Sequence, residues 1–108
     1  MLETETKELD PATSLPISKL PDLSAAQVVD AIASAKNAAE TLKRLSGKQR
    51  GELLRRWYNA VKEAQDDVAT IITAENGKPL AEARGEVTYA ADFLNWFSGE
   101  APRLDGRV

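Results

Sequence analysis

The chain has no cysteine and no histidine among its 108 residues. The first absence removes disulfides, thiolate catalysis and zinc–thiolate sites together. The second removes the commonest general base and the commonest metal ligand. Asp, Glu, Lys, Ser, Thr and Tyr remain, a thin set for catalysis in a chain this small. No run approaches the roughly 20 apolar residues that span a bilayer. The start, Met1-Leu2-Glu3-Thr4-Glu5-Thr6-Lys7-Glu8, is acidic. It lacks the basic start and apolar stretch of a secretory signal, and the Arg-rich, acid-poor character of a transit peptide. A cytoplasmic location is therefore expected. A net charge of −3 gives no electrostatic reason to expect nucleic acid or an anionic membrane as a partner.

An apolar fraction of 43% and a charged fraction of 29% fit a folded segment and not a disordered tail. The length allows one domain, or part of a larger one. Three of the five prolines, Pro11, Pro16 and Pro21, fall in residues 1–22 and forbid a long helix there. A turn at Asp10-Pro11-Ala12-Thr13 is expected, followed by a short extended piece in which Leu15 and Ile17 have strand spacing.

Three long helices are expected in residues 23–101, with a tail at 102–108. The first opens at Ser24-Ala25-Ala26-Gln27, a capping-box pattern. Val28, Ile32, Ala35, Ala39 and Leu42 then recur on one face. The second opens at Ser46-Gly47-Lys48-Gln49, the same pattern. Its stripe is Leu53, Trp57, Val61, Ala64, Val68, Ile71 and Ile72, and it stops at Asn76-Gly77, residues that tolerate a left-handed helix end. Pro79 suits the first turn of the third helix. There, Leu80, Ala83, Val87, Ala90, Leu94 and Phe97 form one stripe. Tyr89, Phe93 and Trp96 form a second, rotated from it. The fold class is mainly α, with a short extended N-terminal segment.

Several pieces, in order, resemble the aldehyde dehydrogenase family. Asp10-Pro11-Ala12-Thr13 is similar to its early Asn-Pro-Ala-Thr-Gly turn. Val29-Asp30-Ala31-Ile32-Ala33-Ser34-Ala35 resembles its first helix, and Arg50-Gly51-Glu52-Leu53-Leu54-Arg55-Arg56-Trp57 the start of its second. Glu75-Asn76-Gly77-Lys78-Pro79-Leu80 is the most specific piece. Gly85-Glu86-Val87-Thr88-Tyr89-Ala90-Ala91, with Trp96-Phe97 and Glu100-Ala101, resembles the succinate-semialdehyde branch. The resemblance runs from about residue 10 to residue 103. Three departures stand out. Ser14 replaces the Gly usual after the turn, and Leu42 a common Trp. Arg103 is followed by Leu104-Asp105-Gly106 where Tyr-Gly is usual, as at a truncated gene or misread exon boundary.

The resemblance implies the N-terminal helical part of a cofactor-binding domain. The family oxidises aldehydes to carboxylic acids with NAD or NADP through a cysteine nucleophile; its succinate-semialdehyde branch serves 4-aminobutyrate breakdown. The resemblance also implies that the nucleophile, the general base and the dinucleotide motifs lie beyond the matched segment. No catalytic, cofactor-binding or metal residue can be carried over. The chain alone is expected to bind no cofactor and to be inactive.

Four constellations remain. Asn76-Gly77-Lys78-Pro79 has one Gly-Lys pair of a phosphate loop, but reads better as a helix stop and restart with Lys78 solvated. Glu82 and Glu86, four apart, read as an exposed helical face in preference to an acid–base pair. Lys43, Arg44, Lys48, Arg50, Arg55, Arg56 and Lys62, interleaved with Glu52, Glu63, Asp66 and Asp67, read as solvated helix surface. Tyr89, Phe93 and Trp96 read as core in search of a covering element. The remainder of an aldehyde dehydrogenase, or self-association through this face, would supply it. A small helical interaction module using that face is the alternative function.

Overall fold

The computed structural model describes residues 4–104. Segments 1–3 and 105–108, which hold the very start of the acidic stretch and most of the expected tail, lie outside the described residues. Strands β1 (Thr4–Leu9) and β2 (Pro16–Asp22) are followed by helices α1 (Ala25–Lys43), α2 (Gly47–Glu63), α3 (Gln65–Asn76) and α4 (Leu80–Glu100). A 3-10 turn, Ala101–Arg103, follows α4.

The strands form an antiparallel ribbon, with Thr6 opposite Leu20 and Lys7 opposite Lys19. Both are edge strands, so Pro16 and Pro21 can sit in β2 facing away from a needed donor. The expected turn closes the ribbon. The Asp10 carboxylate accepts from the backbone N–H of Ala12 at 2.7 Å and of Thr13 at 3.1 Å. Ser14 follows at φ 57°, in the left-handed region. This is where the resemblance expects glycine, and a side chain there costs about 1 kcal/mol. The extended piece is thus larger than expected. Polar β1 carries no alternation to announce it, and its partner strand holds it.

Both capping boxes form. Ser24 Oγ accepts from the Gln27 N–H at 3.4 Å, and Gln27 Oε1 accepts from the Ser24 N–H at 2.9 Å. The Ser46 and Gln49 pair repeats this at 3.2 and 2.8 Å. The helix expected from Ser46 to Asn76 is divided at Ala64, which has φ −92° and ψ 12°. No glycine or proline marks the break. Gln65 is drawn sideways onto α4, donating to Thr88 Oγ1 at 2.8 Å and to the Arg84 carbonyl at 3.1 Å. Asp66 and Asp67 then occupy the first turn of α3, where carboxylates favour a helix start. Gly77 ends α3 at φ 80°, its N–H donating to the Thr73 carbonyl at 2.9 Å. Pro79 caps α4 from outside the first turn, one position earlier than expected.

Helix α4 packs on α2 and α3. The buried apolar residues are Ala69, Ala83, Val87, Ala91 and Ala101, joined by Ser98. No large side chain is fully buried among the described residues. The α2–α4 crossing is set by glycine. A Cβ on Gly51 would lie 2.6 Å from the Ser98 carbonyl oxygen, and one on Gly47 would lie 2.5 Å from that of Ala101. The two backbones therefore meet where ordinary side chains would hold them apart.

Two expected stripes do not become core. Val28, Ile32, Ala35 and Leu42 of α1 are exposed, and α1 buries no residue. Trp57, expected on the inner stripe of α2, is exposed. The inner face of α4 is rotated from the expected one, using Ala91 and Ser98 where Ala90 and Phe97 were expected. In α2 and α4 the cause is the same. The close crossing selects small residues, and the large apolar ones are turned outward.

Shape and surface agree with a minimal core. The radius of gyration is 18.4 Å, against about 13 Å for a compact domain of this length. The accessible surface is 8688 Å². A folded monomer of 11.7 kDa exposes about 5,900 Å², so the excess is about 2,800 Å².

Candidate functional site

The corner Asn76-Gly77-Lys78-Pro79 is positioned by the end of α3 and the start of α4. Lys78 Nζ pairs with the Glu86 carboxylate, in the second turn of α4. The lysine of the candidate phosphate loop is thus committed to the helix that follows it. The corner also meets the ribbon. A Cβ on Gly77 would lie 3.0 Å from Cγ of Pro11. Two of the pieces that carry the family resemblance therefore pack on each other, and Gly77 serves both its backbone conformation and that contact.

Glu82 and Glu86 do not act as a pair, since Glu86 takes Lys78 while Glu82 stays exposed on the first turn of α4. Among the described residues no group of three or more His, Cys, Asp or Glu could hold a metal ion. The basic stretch is distributed over separate local contacts. Lys43 pairs with Glu40 at 2.7 Å, and Lys62 donates to Gln65 at 2.7 Å. Arg50 donates to the Leu45 carbonyl. Arg55 reaches Asn95 on α4 and lies 5.7 Å from the Tyr58 ring centre. The exposed ion pairs contribute tenths of a kcal/mol.

The aromatic set is brought together, but outside the core. Tyr89 and Phe93 meet edge to face with ring centres 5.0 Å apart. Tyr89, Phe93 and Trp96 are 68%, 48% and 67% exposed. They lie on the side of α4 opposite Ala83, Val87, Ala91 and Ser98, as the helical period requires. An open groove of about 450 Å³ continues from them between Leu54, Trp96, Phe97 and Leu104, with Arg50 and Glu100 at its rim. Gly85 and Gly99 share this outer side. A Cβ on either would meet nothing within 4 Å. Each costs about 1 kcal/mol in a helix interior relative to Ala, and no contact among the described residues explains them. Sequence reasoning gave neither glycine pair a packing role. The four-residue spacing of Gly47 and Gly51 was a signal, read instead as part of a helix start.

A dinucleotide is seated where a parallel strand feeds a helix through a glycine-rich turn. Among the described residues the only sheet is the antiparallel ribbon. No helix of the described residues is long and apolar enough to cross a membrane.

A sequence profile of the aldehyde dehydrogenase family matches residues 2–108. The chain belongs to the aldehyde dehydrogenase family. The glutarate-semialdehyde dehydrogenase of Pseudomonas aeruginosa is 46% identical over 97 residues, 90% of this chain and 20% of that protein. The NADP(+) succinate-semialdehyde dehydrogenase GabD of Escherichia coli K12 is 41% identical, over 90% of this chain and 20% of the relative. A crystal structure of an aldehyde dehydrogenase from Brucella melitensis biovar abortus superposes with a TM-score of 0.92 at 42% identity, covering 96% of this chain and 22% of the other. This aldehyde dehydrogenase chain thus spans about a fifth of the relatives' length. It corresponds to their N-terminal region.

Proposed function

We propose that the chain is the N-terminal helical segment of an NAD(P)-dependent dehydrogenase for semialdehydes, aldehydes that also carry a carboxylate, working in the cytoplasm. The observation that carries this is the joint match in sequence and backbone to semialdehyde dehydrogenases along at least nine-tenths of the chain. Within such an enzyme the segment's role is architectural. Its tight α2–α4 crossing and its Gly77 corner fix the directions of helices on which other parts pack. Alone it is inactive, because the family's chemistry needs a cysteine and this sequence has none.

Two assays test this. The purified chain, offered succinate or glutarate semialdehyde with NAD or NADP, should form no reduced cofactor; formation would refute the reading. A chimera in which this chain replaces the matching region of the E. coli enzyme should fold and oxidise succinate semialdehyde. An insoluble or inactive chimera counts against it. The exposed Tyr89, Phe93 and Trp96 favour a second reading, a helical module that binds a partner helix. In that case the isolated chain should sediment as a well-folded monomer or discrete dimer, and not as a molten or aggregating species.

A further inference from the structure

We propose that Asn76-Gly77 is a site of spontaneous covalent modification, deamidation through a cyclic imide, and that the ribbon turn packed on the α3–α4 corner slows it. The modification stands apart from the architectural role above, and water is its only co-reactant.

Among the asparagines, Asn37, Asn59, Asn76 and Asn95 are followed by Ala, Ala, Gly and Trp. Deamidation needs the next residue's backbone nitrogen to reach the asparagine side chain, and only glycine has no Cβ in the way. Two structural differences point to the same residue. Asn37, Asn59 and Asn95 lie inside α1, α2 and α4, whereas Asn76 is the last residue of α3. Asn95 Oδ1 accepts from Arg55. The exposed Asn76 amide has no hydrogen-bond partner among the described residues.

The fold holds the reaction back. The attacking nitrogen is that of Gly77, whose N–H donates to the Thr73 carbonyl at 2.9 Å. That bond keeps a proton on the nitrogen that must lose it. Asn76 is also helical, and a helical ψ of about −42° turns the nitrogen away from the side-chain carbonyl. The ring closes only when this torsion leaves the helical well. Last turns of helices open readily, but this one is held from two sides. A Cβ on Gly77 would lie 3.0 Å from Pro11 Cγ, so the proline ring lies against the glycine. Lys78, next in the chain, is paired with Glu86 on α4.

When the corner opens, the Gly77 nitrogen passes its proton to water and attacks Cγ of Asn76. The new N–C bond closes a five-membered imide, the Cγ–Nδ2 bond breaks, and the side-chain nitrogen leaves as ammonia. Water then opens the imide at one of its two carbonyls. Opening at Cγ gives an ordinary aspartate at position 76. Opening at the backbone carbonyl gives an isoaspartyl link, in which the main chain runs through Cβ and Cγ. Either product adds a carboxylate beside Glu75 at the C-terminal end of α3, where the helix dipole disfavours negative charge. The isoaspartyl link also lengthens the backbone between α3 and Gly77, so the Gly77 N–H is carried away from Thr73. Conversion therefore loosens the corner that delayed it, and the change runs one way.

The experiment incubates the purified 108-residue chain in mildly alkaline buffer, with and without urea. Peptide mass spectrometry follows the exchange of NH2 for OH at each asparagine. In urea, Asn76 should convert at least about tenfold faster than Asn37, Asn59 and Asn95, since only glycine leaves the attack unhindered. In buffer the closed corner should slow Asn76 about tenfold relative to urea. Pro11→Ala, which removes the ring against Gly77, should restore about threefold of that rate. Pro21→Ala, at the far end of the same ribbon, should leave it unchanged. An Asn76 that converts no faster than the other asparagines in urea overturns the site. Equal rates for Asn76 in buffer and in urea overturn the protection. An equal rise in both proline variants overturns the role of the Pro11 contact. Aspartate alone, with no isoaspartyl product, overturns the imide route.

Discussion

Helices α1 and α2 begin alike and end in different surroundings. Each opens on a Ser-x-x-Gln capping box with both reciprocal hydrogen bonds made, and they run to 19 and 17 residues. Helix α2 packs on α4 and on the turn that follows it, whereas α1 buries no residue. The apolar content does not explain the difference, since α1 carries Val28, Val29, Ile32 and Leu42 on an exposed surface. What α2 has and α1 lacks is a backbone window. Gly47 and Gly51 let it reach the Ser98 and Ala101 carbonyls. Capping decides that a helix forms, and a complementary neighbour decides where it goes.

The strongest way to break that contrast is to close the window. Gly51→Leu places a side chain where a Cβ alone would already lie 2.6 Å from a backbone oxygen. The helices must separate, and the expected loss of stability is about 3 kcal/mol. Ala35→Leu on exposed α1 makes a similar increase in volume and should change stability by less than about 0.5 kcal/mol. Urea unfolding of the two variants measures both. Equal effects would mean that α1 is packed within the chain after all.

Local chemistry was legible in the sequence. The capping boxes, the Asp10 turn, the Asn76-Gly77 stop and the restart at Pro79 each depend on a few neighbouring residues, and each forms within one position of its expected place. The rest was hidden because it depends on what faces what. The division at Ala64 needs Thr88 and Arg84 on α4 to draw Gln65 aside. Strand β1 needs β2. The inner face of α4 was read as its most apolar stripe, and the crossing instead uses its smallest residues. The aromatic set was read as core in search of a partner. It is assembled but uncovered, so the candidate site was legible as a surface, while the glycines flanking it were not.

A gentler probe sharpens the same contrast through the two caps. Ser46→Ala and Ser24→Ala each remove one N-terminal acceptor, a change of about 1 kcal/mol. The Ser46 variant should register in global unfolding, because α2 is held in the α2–α4 unit. The Ser24 variant should instead fray α1 while leaving the exchange protection of α2 and α4 unchanged. Hydrogen exchange resolved by residue distinguishes these outcomes. Protection lost in all four helices on removal of Ser24 would contradict the separation of α1 from the unit.

The smallest effect is expected at the ribbon turn, where acid should act locally. The Ala12 N–H first, then that of Thr13, hold the Asp10 carboxyl below its ordinary value of 3.8. A depressed carboxylate contributes stability that is present above the unfolded value and is lost as pH falls through the folded one. The turn should therefore be indifferent to pH between neutrality and about pH 5 and loosen below 3.8. Pro11 at that turn touches Gly77, so chemical shifts at the α3–α4 corner should follow the Asp10 titration. Those in the middle of α1 should not. Asp10→Asn, which keeps an acceptor and removes the charge, should abolish the dependence at both places. A corner that titrates unchanged in that variant would show that its response does not come from Asp10.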